Sequence, residues 1–263
     1  MIIIILILLS TSFAQDIEGC IEPGANNFDP EATIEDCSCE YQPFYTNSVF
    51  DCRGPISLIV FTEAITTLQS GDQVAVFDLN GLTSLGDCSD QYGEIMVGFD
   101  DWHCGELPII ADESVDNCTF GGVQLPGSID GHQIHIRVYR GSEQQEYYAI
   151  PVYQIGFGYF GAVITVISEL QLIPADESLI GCTEPEAYNF SPEALFENYS
   201  CWLPMAGDFD LNDTVNVIDI VLMVDFILFT EPGDLEFYVG DLDNDGELTV
   251  ADLVSLVEMI LEG

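Results

Sequence analysis

The hydrophobic rhythm of the chain changes near residue 216. From Pro43 to Leu170, apolar residues come in short runs or alternate with polar ones, and Gly, Asp, Ser and Asn break the runs. This rhythm predicts strands at Ile56 to Phe61, Gln73 to Leu79, Glu94 to Phe99, Gln133 to Arg140, Glu146 to Val152 and Tyr159 to Ile167. Gln133-Ile-His-Ile-Arg-Val-Tyr139 alternates at period two, and nothing in the region sustains a helical period. Short strands in such a series predict a mainly β fold, specifically an antiparallel β-sandwich. Beyond Asn216 the period lengthens. Val217, Val221, Val224 and Leu228, then Val250, Leu253, Val257 and Ile260, predict two amphipathic helices.

Each helix follows an acidic segment of twelve residues. The first places Asp208, Asp210, Asn212, Thr214, Asn216 and Asp219 at positions 1, 3, 5, 7, 9 and 12; the second places Asp241, Asp243, Asp245, Glu247, Thr249 and Asp252 there. Ca²⁺ is a hard ion that takes six to eight oxygens, and these positions can converge on one ion, position 7 through its backbone carbonyl and position 9 commonly through water. Two Ca²⁺ sites are therefore expected. Position 8 is apolar in both copies (Val215, Leu248), as expected of a residue that turns inward. The segments ahead, Pro204-Met-Ala-Gly207 and Tyr238-Val-Gly240, are short and contain Gly, so no preceding helix is predicted. Position 12 is Asp, where the common EF-hand loop has Glu.

Two Gly-Asp-initiated loop-helix units, with Asp208 and Asp241 33 positions apart, resemble a type I dockerin from about Gly207 to Leu261. The resemblance implies an α-helical, calcium-dependent module that attaches to cohesin domains of secreted assemblies. It departs at Asp213, loop position 6, where the family has Gly. A left-handed or similarly sharp turn is needed there and costs Asp more than Gly, so the first site is expected to be the weaker. Positions 10 and 11 (Val217-Ile218 and Val250-Ala251) are more apolar than the Ser/Thr pairs of well-known dockerins. This leaves two occupants for the helix faces: a cohesin-like partner or an upstream domain of the same chain.

A second duplication spans Gly19 to Cys39 and Gly181 to Cys201, without gaps. Both copies keep Cys, Glu-Pro, Ala, Asn, Phe, Pro-Glu-Ala, Glu and Ser-Cys at the same offsets. The shared spacing predicts bridges Cys20 to Cys39 and Cys182 to Cys201, each worth about 3 kcal/mol in the chain-entropy picture. Units this small hold too little core to fold alone, so the bridge is expected to be the main stabiliser. The motif resembles a repeat found in modular secreted proteins of aquatic bacteria. A disulfide-stapled spacer is its expected role, with calcium binding by its acidic side chains as the alternative. The segment Ser70 to Asp78, with His135 to Tyr139 and Gly158 to Gly161, similarly resembles a β-rich region that accompanies dockerin-like tails.

The resulting organisation is a signal peptide at 1–14, a stapled motif at 15–42, the β-sandwich at 43–170, a linker with the second stapled motif at 171–204, and the dockerin-like module at 205–263. The signal peptide is read from the apolar run Ile2 to Leu9, too short to span a bilayer, and a small-residue cut after Ala14. A secreted or cell-surface chain without membrane insertion is expected. All nine cysteines lie beyond that cut, where disulfides are the expected use, and the odd count leaves at least one free or intermolecular thiol.

Charge narrows the partners. Three Arg and no Lys face 46 acidic residues, a net charge of −43. Repulsion excludes nucleic acid and anionic membrane. Two Ca²⁺ would cancel four of those charges, so the excess points instead to a marine or halophilic medium, where screening shortens to a few Å.

Hydrolase, P-loop and zincin signatures are absent from the sequence: there is no G-x-S-x-G, no G-x-x-x-x-G-K-S/T and no H-E-x-x-H. His132 and His135 fall on opposite faces of one strand, and with His103 they are expected to serve the surface or core. A non-catalytic protein is the leading expectation. The alternative is a carbohydrate-binding module of an extracellular polysaccharide-degrading assembly, stacking sugars on Tyr147, Tyr148, Tyr153, Phe157, Tyr159 or Phe160. A third reading, a glycoside hydrolase, would rest on Asp100-Asp101-Trp102-His103.

Overall fold

A computed structural model describes residues 16–46, 54–103 and 105–262. The chain forms two compact units, Met1–Ala175 and Asp176–Gly263.

The first unit is built on seven strands: β1 (Ile56–Phe61), β2 (Asp72–Leu82), β3 (Tyr92–Asp101), β4 (Leu107–Asp112), β5 (His135–Arg140), β6 (Gln145–Ile155) and β7 (Ile164–Pro174). They form one sheet in the order β3-β2-β5-β6-β7-β1-β4. All neighbours are antiparallel except β7 and β1, which run parallel from Ile164↔Leu58 to Ile167↔Phe61. The expected two-sheet, wholly antiparallel sandwich is thus replaced by a single mixed sheet. Its edges curl toward each other. A Cβ at Gly98 in β3 would lie 2.7 Å from Ile109 Cγ2 and 2.7 Å from the Ile110 carbonyl oxygen in β4, so only Gly fits where the edge strands meet.

Inside the curl lie Ile59, Phe61, Val74, Val76, Val97, Ile109, Ile136, Val138 and Ile167, all nearly without solvent contact. The opposite face of β2 and β5 is covered as well, by Tyr45 on Ala75 and Phe77, with Phe44 stacked on Tyr139 at 4.0 Å. Coverage on both faces explains why Val-Ala-Val-Phe in β2 reads as an unbroken apolar run. Two further placements depart from expectation. The last strand begins at Ile164, because left-handed Gly158 and Gly161 (φ 82° and 95°) fold Tyr159 and Phe160 into a turn. Strand β4 was not predicted; it contains Pro108, which a sheet tolerates at an edge.

The two described arginines are consumed internally. Arg140 forks onto buried Asp72, with Nε 3.0 Å and Nη2 2.7 Å from its two oxygens. Arg137 pairs with Glu94 and lies 4.4 Å from the Phe77 ring centre and 5.2 Å from that of Tyr148. Buried Asp78, held by His132 Nδ1 at 3.0 Å and by the Ile129 N–H, pins the 129–132 turn to the sheet.

Both stapled motifs form the expected bridge, and Cys88 is joined to Cys118. Cys52 and Cys104 lie outside the described residues, as does the expected signal peptide. The two motifs share one internal frame. Glu35 accepts the Ile21 and Cys37 N–H groups, as Glu197 accepts those of Thr183 and Tyr199. Asn27 accepts from Glu40 N–H and Asn189 from Trp202 N–H, both at 2.8 Å.

In the second unit the stapled motif is followed by three helices: α1 (Val217–Leu228), α2 (Asp234–Gly240) and α3 (Val250–Glu262). Helix α2 corrects the expectation that no helix precedes the second loop. Leu235 and Val239, four apart, both face the core and hold it despite its terminal Gly. Phe209, Met223, Val239 and Leu256 form that core, and Val215 and Leu248 turn into it as expected of loop position 8. The stripe predicted for α1 is out of phase. Ile220, Met223, Phe226 and Ile227 pack inward, while Val217, Val221 and Leu228 stand about two-thirds exposed. The helix is apolar around most of its circumference, so periodicity alone did not fix which side is buried. In α3, Leu253 and Ile260 pack as expected and Val250 is exposed.

Candidate metal centre

The two acidic loops share one scheme of carboxylate-to-backbone hydrogen bonds. At position 12, Asp219 Oδ1 accepts the Phe209 and Asp210 N–H groups at 2.8 and 3.3 Å, and Asp252 Oδ1 accepts those of Leu242 and Asp243 at 2.9 and 3.3 Å. At position 1, Asp208 accepts from Asn212 and Asp213 at 3.2 and 2.8 Å, while Asp241 accepts from Asp245 and Gly246, both at 3.1 Å. The second oxygen of Asp219 and of Asp252 takes the position-9 N–H at 2.8 and 2.9 Å. The position-9 side chains, Asn216 and Thr249, accept from position 11 at 2.9 and 3.1 Å, which starts each helix.

These bonds need two left-handed residues per loop, at positions 4 and 6. They are Leu211 (φ 56°) and Asp213 (φ 60°) in the first loop, and Asn244 (φ 58°) and Gly246 (φ 85°) in the second. The turn at Asp213 was legible in the sequence. The one at Leu211 was not, because a branched apolar residue gives no turn signal.

Carboxylate oxygens of Asp208, Asp210 and Asp219 lie within 4.8 Å of one another, and so do those of Asp241, Asp243 and Asp252. Asp208, Asp219 and Asp252 are almost wholly removed from water. A buried carboxylate is costly unless it is hydrogen-bonded or neutralised, and here three converge in each loop beside an open side. Desolvation and the charges of Asp245, Asp252 and Asp241 raise the Asp243 carboxyl above its ordinary range. All-oxygen donors at this spacing fit a hard divalent cation and offer a soft one nothing. Asn212, Thr214, Asp245 and Glu247 are exposed, and the carboxylates of Asp245 and Glu247 are not among the three that cluster in the second loop. Cys20-Glu35-Cys39 and Cys182-Glu197-Cys201 also cluster, but their sulfurs are spent in disulfides and are not thiolate ligands.

The other sequence candidates disperse. Trp102 is buried in the main core, and Asp101 accepts from Gln73 Nε2 at 2.8 Å while Gln73 Oε1 accepts the Phe44 N–H. Asp101 and His103 only edge a shallow hollow with Glu40 and Tyr41. His135 is buried, and burial together with the Arg137 charge lowers its pKa to about 3. Tyr148 and Phe160 are core, and burial raises the Tyr153 hydroxyl well above its ordinary value. Phe157, 90% exposed, and Tyr159, 50% exposed, remain as free rings beside the β6–β7 turn. No helix among the described residues is long and apolar enough to cross a membrane. Compared with known protein families, curated proteins and solved structures, the chain matches none.

Proposed function

We propose that this chain is an exported, non-catalytic modular protein whose C-terminal unit binds two Ca²⁺ and serves as an attachment module of the dockerin kind. The observation that carries this reading is the repetition of one hydrogen-bond scheme in two loops 33 positions apart, each turning three Asp carboxylates onto one point. In this reading the ions are held by Asp208, Asp210, Asn212, Thr214, Asn216 and Asp219, and by Asp241, Asp243, Asp245, Glu247, Thr249 and Asp252. Bound Ca²⁺ supplies the positive charge that lets the clustered carboxylates stay ionised together.

The attachment surface is the solvent side of α1 and α3. Val217, Val221 and Leu228 on one helix are matched 33 positions later by Val250, Val254 and Leu261 on the other, and all six are more than half exposed. A cohesin-like domain is the partner that this doubled apolar face and the calcium loops together favour. Calorimetry on the whole chain tests the first half: two Ca²⁺ should bind, Asp208→Ala and Asp241→Ala should each remove one, and a chain that takes up none would refute the reading. Capture by a panel of cohesin domains tests the second half. Binding should be lost with chelator and in Val221→Asp/Val254→Asp.

Exposed Phe157 and Tyr159 support a second reading for the sheet unit, a platform that stacks on sugars. Retention on polysaccharide columns that disappears in Phe157→Ala would favour it.

A further inference from the structure

The two stapled motifs share their frame and differ in what they touch. In the first, Tyr41 lies over the Gly71 and Gly141 turns so closely that a Cβ at Gly71 would sit 1.7 Å from its ring. The second has Leu203 at that offset. It presents a different set: Tyr188 stands edge-on to Trp202 and to Tyr238, with ring centres 5.6 and 5.4 Å away, and the Tyr238 hydroxyl donates to the Glu186 carbonyl. The first motif carries Asn26 and Glu40 where the second has Tyr188 and Trp202. Tyr238 belongs to α2, whose last turn hands the chain directly to the second loop: the Asp241 N–H donates to the Phe237 carbonyl at 3.0 Å. A cleft of about 800 Å³ runs between motif and loop, with Glu186 and Tyr188 on one wall and Asp241, Leu242 and Asn244 on the other.

We infer that the second stapled motif positions the second metal loop, acting through Tyr188, Tyr238 and α2, so that it is a docked part of the metal-binding unit and not a spacer. A seven-residue helix is marginal in water by itself, and its order must come from what packs on it. Helix α2 has the C-terminal core beneath it and the Tyr188 ring against its other side. Loosening the ring contact frees the turn that delivers Asp241, the first ligand position of loop two. The end of α2 also accepts the Gly207 N–H at 2.7 Å, ahead of loop one, so the first site should respond in the same direction and more weakly.

The inference rests on the calcium reading for its affinity readout, and on α2 alone for its second readout. Calorimetry with CaCl₂ on the whole chain, carrying Asp208→Ala so that only loop two reports, compares Tyr188→Asn, which installs the residue of the first motif, with Tyr188→Phe. Amide exchange of Phe237 to Asp241 is followed in chelator. The expected result is an affinity about tenfold lower in Tyr188→Asn, in the range of coupling through one packed element, with faster exchange confined to α2 and wild-type behaviour in Tyr188→Phe. An Asp241→Ala background should show a fall of about threefold or less at loop one. Unchanged affinity and exchange in Tyr188→Asn would overturn the inference, as would an equal loss at both loops with melting of the whole unit. If the wild-type chain binds no Ca²⁺, the calcium reading falls, and α2 exchange alone decides this one.

Discussion

Asn216 and Asp219 close the start of α1 on each other: the Asn216 side chain accepts the Ile218 N–H at 2.9 Å while the Asp219 carboxylate accepts the Asn216 N–H at 2.8 Å. The same carboxylate holds Phe209 and Asp210, so one side chain ties both ends of the loop and caps the helix. Asp219→Ala strands three N–H groups, and the calcium-free unit should lose about 2–4 kcal/mol, at roughly 1–3 for each unsatisfied buried group after partial relaxation. Asp219→Asn keeps one acceptor oxygen and should lose less. Urea unfolding followed by helical circular dichroism measures both, and equal losses would contradict the capping account.

Site ranking follows from the left-handed residues. The first loop places Leu211 and Asp213 where the second has Asn244 and Gly246, and it offers neutral Asn212 against the carboxylate of Asp245. Strain and lower ligand charge both weaken Ca²⁺ binding. The second site should fill first, and Asp213→Gly should tighten the first by about 1 kcal/mol, the usual left-handed penalty. Calorimetry of Asp208→Ala against Asp241→Ala decides the order; a tighter site surviving in Asp241→Ala would reverse it.

His135 gives the sheet unit a defined acid response. Folded, it stays neutral down to about pH 3 because burial and Arg137 oppose its charge; unfolded, it takes a proton near its ordinary 6.5. Protons therefore favour the unfolded state between those values. Stability should fall with pH through this window by up to about 1.4 kcal/mol per unit from this residue, and should be insensitive to it above pH 7. His135→Leu should lose that component. The wild-type denaturation midpoint should fall relative to that of His135→Leu between pH 7 and 4, and parallel curves would exclude the role.

The Asp72–Arg140 fork should matter for the opposite reason, as a charge pair that cannot be halved. Asp72→Ala leaves a guanidinium that is mostly buried against Thr67 and the sheet, and should cost about 3–5 kcal/mol. Replacing both residues by apolar ones should cost less than Asp72→Ala alone. Thermal or urea midpoints of the three variants test this.

What the sequence made legible was what repeats or alternates. Ile56–Phe61 was placed to the residue because its apolar run is bounded by Gly54-Pro55 and Thr62-Glu63, and the two bridges of separation 19 because each Cys pair has a counterpart. The Cys88–Cys118 bridge has no counterpart, and only the fold brings the pair together. Strand β4 was hidden by Pro108 and its acidic flanks. Helix α2 was hidden by its length and by Gly240, which a close approach requires: a Cβ there would meet Phe209 and Leu248 at 2.7 Å. In the two acidic loops the clustered carboxylates of Asp208, Asp210 and Asp219, and of Asp241, Asp243 and Asp252, fall at positions that the sequence pattern singles out. The Leu211 turn was not legible because Leu gives no turn signal, and the aromatic contact between Tyr188 and Tyr238 was not because it joins residues fifty positions apart.

The parallel pairing of β7 with β1 sets the order in which the first unit can mature. Leu58 finds Ile164 more than a hundred residues later, so the sheet cannot close while the chain is still emerging from the amino end. Until then β1 offers an unpaired edge, held only on the β4 side. Such distant pairing is intrinsically slow to form. The net charge of −43 carried by the same chain sets like-charge repulsion between copies against edge-to-edge pairing during that interval.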